Sequence, residues 1–315
     1  MVLTLFALTG CEELSPQVLV KDTRLIGGEI RVEGDPGRAS PQPGEVANVL
    51  FYVASPPGVN DELNWAFYSC LQSVTAGGLP RCEGTPSLAD VVSGSGTPTF
   101  SFTTPTPSAP PTDVGSDAKP TVLILGVVCM NGAPTFDAMT MQPSCGSNAT
   151  RTFPLIMRVP IQTDESSTNH NPSFGDVLRI GESPWPANDA IGVAAAGCAS
   201  LPESAELPRI SRAEGNRKIN FEMLDRANAE LVFTDAMSGA TMFEALQVNM
   251  ATSAGNVDGI SFEVLESNEI PDTFDIDWVP PDTVVAEGEL VKFWFVMRDG
   301  RSGSALTERA FCLVP

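Results

Sequence analysis

The sequence holds one histidine, two tyrosines and four lysines among its 315 residues, and only 18 basic residues stand against 39 acidic ones. A net charge of -21 repels phosphate backbones and anionic headgroups, so neither nucleic acid nor a polybasic membrane contact is expected as a partner. The lone histidine, His170, lies in a polar stretch with nothing apolar nearby to orient an imidazole, which disfavours Ser-His-Asp and Cys-His chemistry. There is no C-x-x-C pair to suggest zinc, and no nucleophile elbow, dinucleotide fingerprint or phosphate-binding loop. No cofactor or metal is therefore expected. After the first residues no apolar run approaches the ~20 residues a membrane-crossing helix needs.

What is present begins at the N-terminus. Met1 to Thr9 is an apolar stretch that runs into Gly10 and Cys11, and the polar Glu12-Glu13-Leu14-Ser15-Pro16 follows at once. Leu8-Thr9-Gly10-Cys11 resembles the lipobox of bacterial lipoproteins, in which a small residue precedes a cysteine that is lipidated and becomes the mature N-terminus. The resemblance implies that residues 1–10 are an export signal, that Cys11 carries the acyl chains, and that 11–16 form a tether. Two or more chains give a stable anchor where one gives a marginal one. The stretch before Cys11 has no basic residue and is short for a complete signal, so a start further upstream is expected.

In an exported protein the remaining six cysteines, Cys70, Cys82, Cys129, Cys145, Cys198 and Cys312, are expected to form three disulfides. Sequence alone does not choose the connectivity. Proximity favours Cys70 with Cys82 and Cys129 with Cys145, leaving Cys198 for Cys312.

With 27 glycines and 27 prolines the chain is rich in turns and poor in places for long helices. Short β-like runs at Glu29–Val32, Val46–Val53, Asn64–Cys70, Thr97–Thr103, Thr121–Cys129 and Arg151–Val159 are separated by clusters such as Gly34-Asp35-Pro36-Gly37 and Ser55-Pro56-Pro57-Gly58. The second half repeats the pattern: Ile219, Phe221 and Met223 alternate with polar residues, as do Ile260, Phe262 and Val264, then Phe274, Ile276 and Trp278. Leu290–Met297 is apolar on both faces, and an Asp299-Gly300 turn signal leads to Phe311–Val314, which predicts a hairpin central to a sheet. The segment from Met242 to Ala251 fits a helix as readily as a strand. Residues 163–175, polar and without periodicity, read as a linker between a first domain at 17–162 and a second at 176–315.

Strands and turns at this spacing resemble bacterial immunoglobulin-like domains, and the chain as a whole resembles lipoproteins of Gram-negative envelopes that carry them. The expectation is an all-β protein of two tandem immunoglobulin-like antiparallel β-sandwich domains, with Trp65 and Trp294 as core aromatics.

Remaining candidates are weighed against blander readings. Ser116-Asp117-Ala118-Lys119 matches the S-x-x-K pattern of penicillin-binding proteins, yet its partner motifs are missing and chance explains it better. Asp272, Asp275, Asp277 and Asp282 form the densest acidic set, for calcium or for a carboxylate hydrolase, but alternation places Asp275 and Asp277 on a solvated strand face. Asn148-Ala149-Thr150 is a formal glycosylation sequon. Trp185, between Pro184 and Pro186, is the one candidate platform for a glycan or peptide, though a staple over the domain edge is the favoured reading. The leading expectation is a non-catalytic protein anchored in the bacterial envelope, with the outer membrane as the leading location. It presents sandwich domains to an envelope protein or glycan. A glycan- or peptide-binding module and a carboxylate-based hydrolase stand behind it.

Overall fold

The computed structural model describes residues 18–73, 81–84, 86–107, 120–137, 139–164, 168–174, 178–190, 192–202, 204, 207–222, 231–234, 241–243, 246–257, 261–264 and 273–315. For residues 221–222, 231–234, 241–243, 261–264 and 273–274 only the backbone is described. The protein is all-β and antiparallel sheets dominate, as the alternation and the turn clusters predict.

In the first half the strands are β1 (Arg24–Val32), β2 (Val46–Ala54), β3 (Leu63–Ser73), β4 (Arg81–Cys82), β5 (Val92–Ser95), β6 (Thr99–Thr103), β7 (Thr121–Met130), β8 (Pro134–Phe136), β9 (Pro143–Cys145) and β10 (Arg151–Pro160). One sheet has the order β1-β2-β6, and the facing sheet β10-β7-β3-β4 with β5 also on β3. First, second and fifth main strands on one side, third, sixth and seventh on the other, is the immunoglobulin-like connection. Ile30, Val49, Phe51, Phe67, Phe100 and Ile124 fill the space between the sheets. Trp65 lies in this core, its ring stacked on Phe67 at 5.4 Å between centroids.

The second half contains β11 (Leu178–Ile180), β12 (Ser183–Pro184), β13 (Arg209–Ser211), β14 (Arg217–Glu222), β15 (Leu231–Thr234), β16 (Thr241–Phe243), β17 (Leu246–Thr252), β18 (Asn256–Val257), β19 (Ser261–Val264), β20 (Thr273–Val279), β21 (Glu289–Arg298) and β22 (Ser304–Val314). Its sheets run β12-β11-β14-β20-β18 and β13-β22-β21-β17-β19, with β13 parallel to the last strand. Where it is described, the ambiguous Met242–Ala251 stretch is strand: Val248 and Met250 point into the core and β17 pairs with β21. The two-faced Leu290–Met297 run is β21, and it sits centrally between β22 and β17.

Two-faced burial of β21 also fixes how the halves meet. Val291, Phe293, Phe295 and Met297 face the sandwich core. Trp294, expected as a core aromatic of its own domain, faces the other way and is 1% exposed beneath Val20, Ala54 and Ile26. The reason is parity: Trp294 alternates with the phenylalanines, so it lands on the sheet's outer face, which the first half covers.

Contacts cross the expected domain boundaries at two places. Val18 belongs to the second core, and Val18 and Val20 exchange backbone bonds with Thr252 of β17, so residues 18–20 are seated on the second half. Nor is the 163–175 connector a bare tether where it is described. Asn169 is buried, His170 bridges to Arg38, and Asn171 bonds both the Ile30 carbonyl and the Ser304 amide. Polar side chains suit this segment because they satisfy backbone groups at a joint, such as the Ile30 carbonyl and the Ser304 amide.

Candidate functional site

The joint leaves a groove of about 680 Å³ along the flank of the first sandwich, where β1 and β10, the edge strands of facing sheets, run beside the β21–β22 turn. Phe51 is buried at its floor, and Leu25, Phe153, Leu155 and Met157 are half-buried around it and packed on the first core. On the outer side Ile156 is 61% exposed. Among the described residues the charged lining residues are Arg158 and Arg298 and no carboxylate lines the groove, in a chain of net charge -21.

The two strand edges differ chemically. On β1, the carbonyl of Ile26 accepts from Arg298 Nη2 at 3.0 Å, that of Gly28 from Ser304 Oγ at 2.6 Å, and that of Ile30 from Asn171 Nδ2 at 2.6 Å. Every second carbonyl of this edge is thus capped by the second half or the connector. Gly27 permits the approach: a Cβ there would lie 3.1 Å from Tyr52, 3.3 Å from Val296 and 3.4 Å from Arg298. The Tyr52 hydroxyl donates to Glu29 at 2.9 Å and lies 3.4 Å from the Ser304 carbonyl, and burial beside the Glu29 carboxylate raises its pKa strongly.

On β10 the edge is free. Its inner edge pairs with β7 from Arg151 to Pro160, and among the described residues no backbone bond reaches the outer one. Pro154 and Pro160 identify which groups point outward. Proline has no N–H for the ladder and is confined to positions that face away from the neighbouring strand. Both prolines have even numbers, so Thr152, Ile156 and Arg158 turn their N–H groups to the open side. Arg158 is exposed and has no ion-pair partner among the described residues.

The residues singled out from sequence fall elsewhere. Cys11, Ser116, Lys119 and Asp272 lie outside the described residues. The six other cysteines form Cys70–Cys82, Cys129–Cys145 and Cys198–Cys312. Trp185 offers no platform: it is 0% exposed, its indole N–H donates to the Ala310 carbonyl at 2.9 Å, and its ring meets Phe293 edge-on at 5.3 Å. The flanking prolines hold the strand end at which it turns inward. Beside it Arg309 donates to the Trp185 carbonyl at 2.8 Å, and burial lowers its guanidinium to about 10. Asp275 bonds Lys218 and Asn220 across β14 and β20. Asn148 lines a separate polar cleft with Glu62, Asn64 and Asn131. Among the described residues no three His, Cys, Asp or Glu side chains gather as a metal site, and no helix is long and apolar enough to cross a membrane.

Sequence reasoning recognised β10 as a strand but not as the edge of a groove. The signal was available: two prolines of the same parity inside an apolar run mark one edge of that strand as unpaired. The chain matches no family model and no curated protein.

Proposed function

We propose that this is a non-catalytic protein of the bacterial envelope, anchored through lipid on Cys11, that holds two joined β-sandwich domains for contact with another envelope component. The observation that carries the interaction role is the groove: an apolar channel beside a free strand edge, framed by both halves of the chain. Native proteins usually cover, shorten or charge such edges, so a ten-residue strand left open over apolar side chains favours a binding role. The peptide form of the ligand-binding alternative moves to this groove, since Trp185 is buried. Anchorage rests on the lipobox-like Leu8-Thr9-Gly10-Cys11, and the outer membrane is the proposed location.

The anchor is tested by replacing Cys11 with serine behind a complete export signal and fractionating cells. The native protein is expected in membranes after a carbonate wash, and the variant in the soluble fraction. A variant that remains with the washed membranes would sink the assignment.

A further inference from the structure

We propose that the groove takes up an extended peptide segment as an added strand on the free edge of β10, and that the segment carries an acidic side chain where it passes Arg158. This rests on the interaction role above and names the chemistry of the partner.

Strand addition needs an edge whose backbone groups are unpaired, and pockets for alternate side chains of the incoming segment. From Thr152 to Arg158 the outer edge supplies the N–H groups of Thr152, Ile156 and Arg158, and the carbonyls of Thr152, Pro154, Ile156 and Arg158. The opposite wall offers fewer acceptors, because the β1 carbonyls of Ile26, Gly28 and Ile30 already accept bonds from Arg298, Ser304 and Asn171. A segment laid on β10 therefore finds both donors and acceptors on that edge, where β1 has its acceptors occupied. Its side chains alternate between solvent and the seam, where Leu25, Phe153, Leu155 and Met157 would lie under every second one.

Charge selects the partner. Among the described residues Arg158 and Arg298 are the groove's only charged lining residues, whereas the chain as a whole carries -21. An extended segment with alternating apolar residues and one Asp or Glu satisfies both features. A second copy fits less well. Symmetric antiparallel pairing about Ile156 would set Arg158 opposite Pro154, where the N–H is missing, and would bring together two chains of the same large negative charge.

The probes are two labelled peptides of alternating valine and threonine, each about seven residues long to match the open edge. One has an aspartate at a central threonine position and the other a lysine. Fluorescence anisotropy with the whole chain is expected to show the aspartate peptide binding about ten-fold tighter than the lysine peptide, and Arg158→Glu to reverse the order. Ile156→Pro removes one outward donor at a site whose neighbour Pro154 shows that the strand accepts proline. It should weaken the aspartate peptide by about ten-fold while leaving thermal unfolding near that of the parent. Equal binding of the two peptides, no binding at millimolar concentration, or indifference to Ile156→Pro in a folded variant would each overturn the proposal. So would a dimer in sedimentation that Ile156→Pro abolishes, since that assigns the edge to a second copy. Failure here leaves the Cys11 fractionation result untouched, so the anchor and the groove stand or fall separately.

Discussion

The side-chain amide of Asn169 donates to the Asp299 carboxylate at 2.8 Å, and both residues are buried. One belongs to the connector and the other to the β21–β22 turn, so this bond ties the join between the halves to the hairpin that frames the groove. Asp299 also accepts from the backbone N–H of Arg301 at 2.7 Å and of Gly303 at 2.9 Å. Gly303 is required by space: a Cβ there would stand 2.1 Å from the Asp299 carboxylate and 2.7 Å from the His170 carbonyl. Burial raises the Asp299 pKa, and the bonds it accepts oppose that rise without cancelling it.

Because the folded pKa of Asp299 is raised above its unfolded value, the folded protein binds the extra proton between the two. Its contribution to stability is then most favourable on the acid side, falls as pH rises through that window and is constant above it. Asp299→Asn removes the titration and turns an amide donor toward the donor of Asn169, at a cost of about 1–3 kcal/mol. Urea unfolding at a series of pH values from about 4 to 7 should show the parent's advantage over the variant greatest at the acid end, declining to a plateau. An advantage that is flat or grows with pH would show that this carboxyl does not titrate as described.

The Trp294 contact predicts that the halves unfold together. The side chain is 1% exposed among Val20, Ala54 and Ala251, with Lys292 Nζ 5.5 Å from the ring centre. Trp294→Ala empties the centre of the joint and should cost about 3–5 kcal/mol, as truncation of a large buried aromatic does. Since Trp294 points away from the second core, that loss should fall on the coupling between halves. Calorimetry is expected to give one transition for the parent and two for the variant. A single transition at an unchanged temperature in the variant would mean that the joint contributes little.

The fold was legible where alternation and turn residues agree: β14, β20, β21 and β22 were all marked by period-two patterns or by the Asp299-Gly300 turn. It was less legible where a strand contains residues that usually break one. β1 begins at Arg24, five residues before the expected Glu29, because Gly27 and Gly28 look like an interruption but serve the approach of the second half. β5, a four-residue strand containing Gly94, left no apolar signature; the glycine is needed there because the Trp65 ring occupies the space a Cβ would take. Trp185 reads from sequence first as a staple over the domain edge and second as a platform, and its burial goes with the first reading; the flanking prolines alone indicate a loop, not which way a ring turns at its end. The joint was not legible, and of the groove only the unpaired edge of β10, marked by Pro154 and Pro160, left a trace in the sequence. They depend on side chains far apart in sequence, such as Tyr52 and Ser304, and no local pattern marks those pairings.

Cys198 and Cys312 join the region between β12 and β13 to the last strand, closing a separation of 114 residues. Cys198 is 2% exposed and Cys312 1%, and Gly288 lies against both ends: a Cβ there would be 3.0 Å from the Cys312 sulfur and 2.9 Å from the Ala199 amide. The bond pins a long connection that otherwise holds to β21 and β22 through scattered backbone bonds, among them Gly197 to Gly288 and Leu290 to Ala195. Closing so long a loop removes unfolded-chain entropy worth about 4–5 kcal/mol in the simple model. Native stability is typically about 5–15 kcal/mol, so the bond accounts for a large part of it. The pair Cys198→Ser and Cys312→Ser should therefore lower the midpoint of denaturant unfolding of the whole chain substantially. Each single variant should fall at least as far, because it leaves a buried thiol without its partner. Peptide mapping without reductant should recover the two cysteines joined. Recovery of either one free, or linked to Cys70, Cys82, Cys129 or Cys145, would break the connectivity, and a double variant as stable as the parent would show that the strand pairing of β21 and β22 holds this connection unaided.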